Sequence, residues 1–336
     1  MKLRFVVSNQ TDPYWNIAVE NYLVESADCT TLYLWRNRRT VVIGQNQNPF
    51  SEVDVDALEA DGGCLMRRKT GGGAVYHDDG NLNFSFVVPK ALYDQGRQFR
   101  VIQRAVESFG LHTELSGRND ILVDSGEWVV DSSRGQVLST THYPLPTYKK
   151  FSGNAFSKGR HNDLHHGTLL ISGDMSDLAR YLKPKPAKLQ KHGVQSVRSR
   201  VVNLAELNPE ITLESIVPRL REAFETEYAE RSEYAEYSDI IKKPEVEELH
   251  GQFASDEWKY GRWRTFSAQR SAQFEWGGVE LALAVEDDII RDVQLASDAL
   301  DLAALDEARR LLTGASVKQC PESENNVVGD ILSLVY

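Results

Sequence analysis

The run of residues 67–77, RRKTGGGAVYH, combines residue types that bind anions with a backbone that a ligand can approach closely. Arg67, Arg68 and Lys69 supply charge-assisted donors for phosphate or carboxylate. They stand just before three consecutive glycines, which lack Cβ atoms and tolerate positive φ, so successive N–H groups can turn into one concavity. We interpret the run as an anion-binding loop, with an ordinary tight turn among surface cations as the alternative.

The order of these residues differs from that of two common phosphate-binding loops. A P-loop has its lysine after the glycines, and a dinucleotide-binding loop spaces its glycines as GxGxxG. Here residues 74–88 predict a β-hairpin with a turn over 78–81, so the glycines lead into a strand rather than a helix. A helix dipole is therefore not the expected anion binder.

Two further polar stretches could serve a metal ion. Asn119 and Asp120 precede the strand-like residues 121–123, where they either form a plain turn or offer an amide and a carboxylate that could hold Mg²⁺. His165 and His166 are adjacent on a predicted strand and should point to opposite faces, which argues against a shared metal site. We expect no structural metal.

Two further groups of cations outside the glycine run could bind an anion. Aromatic residues flank Lys149 and Lys150, so one of them should point inward from a strand, which is costly unless its ammonium meets an anion. Residues 180–200 hold seven Lys/Arg and no acid in a chain whose net charge is −11. This basic stretch is compatible with a solvated face, a mobile loop that closes on a phosphate ligand, or a docking site for an acidic partner.

Length and composition define the class of protein. The chain has 336 residues, enough for one large and one small domain, and its apolar content of 41% and charged content of 26% are those of an ordinary globular protein. The net charge of −11 argues against nucleic-acid binding. Three widely separated cysteines, no signal peptide and no apolar run of about 18 residues predict a cytoplasmic protein with no membrane partner.

Hydrophobic periodicity predicts the elements that must position these groups. A helix begins at Pro13 and buries its apolar face, whereas Asn16 and Glu20 are expected on a solvated stripe. Charged and Tyr-rich residues after 230 mark a domain boundary near 245, which gives domains over 1–245 and 246–336. Other predicted elements are strands over 32–36 and 40–43 and helices over 52–60, 99–109, 212–230 and 300–312.

Taken together, these strings resemble the lipoate–protein ligase A family. The specific ones are RRKTGGGAVYHD at 67–78 and the distant KFSGNAF at 150–156. Weaker matches are PYWNIAVE, GRND, HHGTLL, SVRSRVVN and WGGVEL, which spread the likeness from residue 13 to residue 281. Two features depart from the family: the segment between Asp120 and Lys150 is longer than expected, and the acidic stretch at Glu322 and Glu324 has no counterpart.

The resemblance implies an α+β fold and a reaction in two steps. A large catalytic domain with mixed β-sheets flanked by helices, of the biotin/lipoyl ligase kind, would precede a small C-terminal α/β domain. Lipoate and MgATP would give lipoyl-AMP and pyrophosphate, and the lipoyl group would then pass to a protein lysine. The implied acceptors are lipoyl domains of 2-oxoacid dehydrogenase E2 subunits and the glycine cleavage H protein.

The family's motifs also imply roles for residues of this chain. Lys150 would be catalytic, contacting the lipoate carboxylate and the α-phosphate. The other implied positions are, for ATP, Arg68, Gly73, Ala74, Val75 and Tyr76; for lipoate, Gly72, Gly73, His77, Gly153, Gly167 and Thr168; for Mg²⁺ or the adenylate, Asn119 and Asp120; and for a loop that closes over the adenylate, Lys183, Lys188, Ser196 and Arg198. By residue type, the candidates to line a tunnel for the lipoyl chain are Trp35, Val42, Val75, Phe151 and Leu169.

Rival functions remain open at this point. A lipoyl or octanoyl transferase would move a preformed acyl group without ATP; such enzymes often use a cysteine, yet Cys64 lies in a β-run where a buried structural thiol is expected. A transferase that accepts a ready-made adenylate needs no cysteine. A biotin ligase is disfavoured because the Gly-Arg-Gly-Arg arrangement of that family is absent from this sequence. A non-catalytic protein that binds lipoate or lipoyl domains would not need Arg68, the glycines and Lys150 together.

Overall fold

The computed structural model describes residues 2–117, 119–128, 146–183, 201–260 and 268–336. They form a large mixed sheet flanked by helices, a small sheet that carries the glycine loop, and a C-terminal sheet packed against helices. The predicted α+β architecture is therefore confirmed. Among the described residues, no helix combines the length and the apolarity that a bilayer span requires.

Three sheets organise the described residues. Their strands are, in chain order, β1 (Leu3–Val7), β2 (Thr30–Trp35), β3 (Thr40–Ile43), β4 (Cys64–Arg67), β5 (Val75–His77), β6 (Asn81–Pro89), β7 (Thr113–Ser116), β8 (Asp120–Trp128), β9 (Pro146–Lys158), β10 (Asn162–Leu170), β11 (Ser232–Ala235), β12 (Ala268–Phe274), β13 (Gly277–Glu286) and β14 (Ile289–Ser297). The large sheet has the order β11-β1-β2-β6-β10-β9-β8-β7, and the small ones are β4-β3-β5 and β12-β13-β14. In the large sheet β1 is parallel to β2 and β11, and the strands from β2 onward pair antiparallel.

Helices cover both faces of the large sheet. In chain order the described α-helices are α1 (Pro13–Ser26), α2 (Pro49–Glu52), α3 (Val55–Ala60), α4 (Gln95–Glu107), α5 (Met175–Tyr181), α6 (Leu204–Leu207), α7 (Leu213–Tyr228), α8 (Tyr237–Ile241), α9 (Pro244–Ala254), α10 (Asp256–Tyr260), α11 (Leu302–Leu312) and α12 (Asn326–Leu332). Asp12 caps α1, with Pro13 at its first position, as the sequence predicts. The predicted helix over 52–60 is instead two helices, because Asp54 accepts a hydrogen bond from the N–H of Ala57 and caps a new one.

Two hydrophobic clusters fix the large sheet from its two sides. Phe84 and Phe86 on β6 pack with α4 and α7 on one face, and the intervening residues face α1 and α9. Phe151 and Leu169 are fully buried in the α4/α7 cluster. Their proposed place in a lipoyl tunnel is therefore wrong, because their positions in the strands turn both side chains to the face that α4 and α7 cover.

The C-terminal sheet has a core of its own. Leu281, Val293 and Leu305 belong to a cluster formed by β13, β14, α11 and α12. Val246 and Phe253 on α9 pack instead with residues of α1, against the large sheet. The division at residue 245 remains a prediction, and these two side chains, which follow it, are attached to the larger part.

Candidate active site

A cavity of about 300 Å³ lies between the large sheet, α1 and the glycine loop. Its apolar lining includes Trp35, Val42 and Val75, three of the five residues suggested for a tunnel, together with Ile17 and Met66. The predicted site residues that line it are Arg68, Gly72, Gly73, Ala74, Val75, His77, Asn119, Lys150, Gly153, Gly167 and Thr168. Residues that lie up to 100 positions apart in the sequence are thus collected around one space.

The cavity runs across the strands of the large sheet. Trp35 on β2 pairs with Asn83 on β6, Asn83 pairs with Thr168 on β10, and the Thr168 hydroxyl accepts a hydrogen bond of 3.3 Å from the N–H of Gly153 on β9. Neighbouring strands are about 4.8 Å apart, so the row from β2 to β9 spans about 14 Å. Trp35 is buried whereas the Lys150 side chain is 34% exposed, so the cavity is closed at its Trp35 end and open at its Lys150 end.

A β-bulge aims Lys150 at this cavity. The register between β8 and β9 shifts at Phe151, which is left without a partner on β8 and enters the core. Lys150 then faces the cavity, and its Nζ lies 2.6 Å from Oδ1 of Asp120. The inward lysine thus meets a carboxylate of the protein itself, at the mouth where an anionic ligand would enter.

Two glycines in the wall of the cavity have different roles. A Cβ atom at Gly153 would lie 3.1 Å from Lys150 Nζ. A Cβ atom at Gly167 would lie 2.6 Å from both Asn154 Oδ1 and Phe84 Cζ, closer than real Cβ contacts. Gly153 therefore gives the lysine freedom to move, while Gly167 is required by the packing of β10 against β9.

Arg68 holds the glycine loop from inside the protein. Its Nη2 donates to the carbonyls of Gly71 (2.7 Å) and Gly73 (2.8 Å), and its Nε donates to Thr70 Oγ1 (3.0 Å). Because a trans peptide places C=O and N–H on opposite sides, the N–H of Ala74 points away from Arg68. Burial lowers the pKa of Arg68 to about 10, an effect that the nearby charge of Glu20 opposes, and the side chain remains a cation at neutral pH.

Neither of the other two cations of the run lines this cavity, which differs from the expectation from the sequence. Arg67 is buried, and its guanidinium donates to the carbonyls of Gln45 (2.9 Å), Gln47 (2.7 Å) and Lys259 (2.7 Å). Lys69 has its Nζ 5.5 Å from the centre of the Phe253 ring. Arg67 therefore connects the loop after β3 to the end of α10, because its guanidinium donates hydrogen bonds to carbonyl oxygens of both segments.

Asn16 and Glu20 are buried rather than solvated, contrary to prediction. Asn16 Nδ2 donates to the carbonyl of Arg36 (2.7 Å), and Glu20 Oε2 lies 2.8 Å from Nδ1 of His166. The stripe that carries them faces β2 and β6 instead of solvent, because α1 packs on the sheet and its outer side is covered in turn by α9. Sequence periodicity alone did not reveal the second covering helix.

The two adjacent histidines point to opposite faces, as predicted. His165 contacts Gln98 Oε1 and Asn154 Oδ1 through its two ring nitrogens, both at 2.9 Å, on the side of α4. Burial and the charge of His166 lower the pKa of His165 well below its usual value. His166 instead lines the cavity beside Glu20.

His77 is a neutral side chain in the wall of the cavity. Asn37 Nδ2 lies 3.3 Å from His77 Nδ1, and the amide orientation of Asn37 is fixed because its Oδ1 accepts from Asn16 Nδ2. His77 therefore carries its proton on Nε2, for which the described residues supply no acceptor. Burial, together with the charges of Arg68 and His166, lowers the pKa of His77 to about 3.

The C-terminal sheet sits directly on the glycine loop. The N–H of Gly72 donates to the carbonyl of Ala299 (3.3 Å), and a Cβ atom at Gly71 would lie 2.3 Å from that same oxygen. The N–H of Ser297 donates to the carbonyl of Asn46 (2.9 Å). By contrast, nothing lies within 4 Å of a Cβ atom placed at Gly73, which leaves this side of the loop open.

The remaining predicted site residues fall into three groups. Asp120 pairs with Lys150 at the mouth, whereas Tyr76 does not line the cavity and its hydroxyl donates to Asp177 (3.0 Å). Lys183 lies away from the cavity, with its Nζ donating to the carbonyl of Phe50 (3.2 Å). Lys188, Ser196 and Arg198 lie outside the described residues.

Comparison with known proteins places the chain in a family. Residues 12–225 match the model of the lipoyl protein ligase A/B catalytic domain, and residues 264–320 match that of the bacterial lipoate protein ligase C-terminus. The lipoate–protein ligase A of Psychrobacter cryohalolentis is 38% identical over 315 residues, which cover 91% of this chain and 86% of that protein.

Solved structures give a consistent result. The crystal structure of P. falciparum LipL1 in complex with lipoate has a TM-score of 0.79 at 27% identity and covers 98% of both chains. The bipartite lipoate protein ligase of Thermoplasma acidophilum, studied with its E2 lipoyl domain, has a TM-score of 0.64 at 25% identity and covers 80% of this chain and 100% of that one. Together with the sequence matches, these likenesses show that the chain belongs to the lipoate–protein ligase A family.

Proposed function

We propose that the chain joins lipoate to ATP, giving lipoyl-AMP and pyrophosphate, and then transfers the lipoyl group to a lysine of an acceptor protein. The observation that carries the proposal is the position of Lys150, where an apolar cavity opens beside the glycine loop. A fatty-acid-like chain fits the apolar end, and its carboxylate would reach the ammonium. The lipoate found with the P. falciparum relative supports this choice of acid.

Lipoate would enter with its dithiolane ring toward Trp35 and its carboxylate toward Lys150. The row from β2 to β9, about 14 Å long, is of the length that an extended eight-carbon acid needs. Val42 and Val75 would contact the methylene chain. Lys150 would leave Asp120 and bind the lipoate carboxylate, because an incoming anion competes for the same ammonium.

The nucleotide would lie against the open side of the glycine loop. The N–H of Ala74 points away from Arg68 and is available to a phosphate oxygen, and the space above Gly73 accommodates a close approach. Arg68 would act through the loop that it holds and through its buried positive charge.

The residues at the mouth suit Mg²⁺. Asp120 and Asn119 present a carboxylate and an amide oxygen beside Lys150, and oxygen ligands shared with the substrate's phosphates are what this ion prefers. When bound, Mg²⁺ would neutralise charge on the phosphate oxygens. Asp120, which pairs with Lys150 in the free protein, would then bind Mg²⁺ when the lysine moves to the substrate.

In the first step an oxygen of the lipoate carboxylate attacks the α-phosphorus, and the bond to the β-phosphate breaks, so pyrophosphate leaves with the electron pair. Lys150, between the two reactants, would bring them together and stabilise charge on the α-phosphate oxygens. In the second step the acceptor amine attacks the lipoyl carbonyl, AMP leaves, and the amine gives up a proton. None of the three cysteines, all within the described residues, lines the cavity, so an acyl-cysteine intermediate has no residue to form on.

The proposed acceptors are lipoyl domains of 2-oxoacid dehydrogenase E2 subunits and the glycine cleavage H protein. The Thermoplasma relative was studied with an E2 lipoyl domain, which supports the first of these. In each case the reacting group would be an exposed lysine of a small folded domain. The open end of the cavity at Lys150 would have to admit that lysine.

The proposal is tested by lipoate-dependent exchange of labelled pyrophosphate into ATP, with Mg²⁺ and without acceptor protein. Exchange establishes the activation step independently of the acceptor. No exchange by folded protein, combined with transfer from supplied lipoyl-AMP, would mean that the chain uses a ready-made adenylate. The ATP-dependent assignment would then be wrong.

A further inference from the structure

A buried chain of hydrogen bonds connects the glycine loop to Glu20. Arg68 Nε donates to Thr70 Oγ1 (3.0 Å), Thr70 Oγ1 lies 2.8 Å from His166 Nε2, and His166 Nδ1 lies 2.8 Å from Glu20 Oε2. All four side chains are at least nine-tenths buried. The chain therefore joins the residue that shapes the glycine loop to a carboxylate on α1.

A second chain reaches the same carboxylate oxygen from the deep end of the cavity. Trp35 Nε1 donates to Ser85 Oγ (2.9 Å), and Ser85 Oγ donates to Glu20 Oε2 (2.5 Å). Trp35 forms the closed end of the cavity, so this chain fixes the indole that would meet the far end of the acyl group. The two chains converge on one oxygen atom.

The directions of these bonds assign the protons. Ser85 Oγ donates to Glu20 Oε2, and His166 Nδ1 faces the same carboxylate oxygen, so the Nδ1 proton of His166 also donates to Glu20. Both chains therefore end in a donor that points toward Glu20. Hydrogen bonds aligned in one direction polarise one another, which favours a single arrangement of all the groups.

We infer that Glu20 is a positioning residue for both substrates, orienting the glycine loop through His166 and Thr70 and the deep wall of the acyl cavity through Ser85. The inference rests on the proposed function, because it assigns the loop to the nucleotide and the cavity to lipoate. Packing alone does not account for the arrangement. A carboxylate that is 1% exposed is expensive to bury, and an apolar side chain would fill the same space at lower cost.

Single substitutions test the two hydrogen-bond chains independently. Thr70→Val removes the hydroxyl of the first chain and is expected to raise the KM for ATP about tenfold while that for lipoate changes less than about twofold. Ser85→Ala cuts the second chain and is expected to do the reverse. Glu20→Gln keeps the shape but weakens both chains, so both KM values should rise. Thr70→Ser, which retains the hydroxyl, should restore the KM for ATP.

The measurement is pyrophosphate exchange with each substrate varied in turn, alongside thermal unfolding of each variant. Thr226→Val, on the exposed side of α7, is the matched control for loss of a threonine hydroxyl. If Thr70→Val or Ser85→Ala does not fold, the cysteine variants at the same positions weaken the bond rather than delete it and allow the same comparison.

Two failures can be told apart. If Thr70→Val and Ser85→Ala lower the unfolding temperature but each changes both KM values equally, or neither, the network is purely structural and the inference is overturned. Wild-type protein without lipoate-dependent exchange would instead refute the proposed function. A rise mainly in the KM for ATP in Thr70→Val, and mainly in the KM for lipoate in Ser85→Ala, supports the positioning role of Glu20.

Discussion

The ammonium of Lys150 lies 2.6 Å from the carboxylate of Asp120, at the point where the acyl cavity meets solvent. Both side chains are 34% exposed, so the pair is accessible to an incoming ligand and weak enough to exchange. Asp120 thus keeps the lysine at the mouth of the cavity in the free protein. Replacement of this internal carboxylate by that of the substrate requires little rearrangement, because Gly153 leaves space beside Nζ.

Lys150→Ala is expected to lower lipoate-dependent pyrophosphate exchange by at least about 10²–10³-fold, the usual effect of removing one charge-stabilising donor. The unfolding temperature should hardly change, because the exposed pair contributes little to stability. Lys158→Ala, at the exposed end of the same strand, is the control. Exchange within threefold of wild type in Lys150→Ala would remove Lys150 from the catalytic role.

Arg67 and Arg68 are adjacent in sequence, yet the structure predicts different phenotypes for their loss. Arg67→Met would leave the buried carbonyl of Gln47 and the half-buried carbonyls of Gln45 and Lys259 without this donor, at a cost of up to about 1–3 kcal/mol each before relaxation. We expect a loss of about 3 kcal/mol or more in the free energy of unfolding, measured by urea denaturation. Arg291→Met, at an exposed position, should change that free energy by less than about 0.5 kcal/mol.

An unaltered urea midpoint in Arg67→Met would contradict this assignment and return Arg67 to the ligand-binding role suggested by the sequence. Both outcomes are informative, because a ligand-binding arginine should affect the KM for ATP without affecting stability. Binding and unfolding therefore need to be measured on the same preparation.

Gly71 and Gly73 provide a second contrast within the loop. A methyl group at Gly71 would meet the carbonyl of Ala299 at 2.3 Å, so Gly71→Ala should force the C-terminal sheet away from the loop and lower the unfolding temperature. A methyl group at Gly73 meets nothing within 4 Å, so Gly73→Ala should fold normally but obstruct the space assigned to the nucleotide. Its KM for ATP is expected to rise about tenfold with an unchanged unfolding temperature.

Thermal unfolding and pyrophosphate exchange check both variants, and small-angle scattering detects any separation of the C-terminal sheet in Gly71→Ala. Normal nucleotide affinity in Gly73→Ala would show that the nucleotide does not approach the loop from its open side. Normal stability in Gly71→Ala would show that the contact with Ala299 is not maintained in solution.

Much of the site could be predicted because its parts are local strings. The glycine run, the lysine pair and the GRND turn each carry an unusual combination of residues, and the structure brings Arg68, the glycines, Lys150 and Asn119 to one cavity. Their proximity could be expected only from the family resemblance. Spacing in the sequence does not indicate that β9 and the glycine loop line the same cavity.

The buried polar groups could not be predicted, because alternating polar and apolar residues usually indicate a strand with one face exposed to solvent. Asn83 and Ser85 alternate with Phe84 and Phe86 along β6, a pattern that ordinarily indicates one solvated face. Here both faces are covered, so the polar alternate residues turn into the cavity and the Glu20 network. Which helix covers which face is a long-range property that neither the strand nor α1 encodes alone.

The neutrality of His77 predicts how stability depends on pH. Its pKa is about 3 in the folded protein and about 6.5 when unfolded, so between these values the unfolded chain binds more protons and acid favours unfolding. Stability should fall as pH drops below about 6.5, with His77 contributing up to about 1.4 kcal/mol per pH unit. Urea denaturation at pH 4–8 measures this slope, which should correspond to about one fewer proton taken up on unfolding in His77→Gln than in wild type. His161→Gln, at an exposed position, is the control for removing a histidine from the chain. An identical slope in wild type and His77→Gln would mean that His77 binds its proton over the same pH range in the folded and the unfolded protein, which would contradict the neutral, buried side chain assigned here.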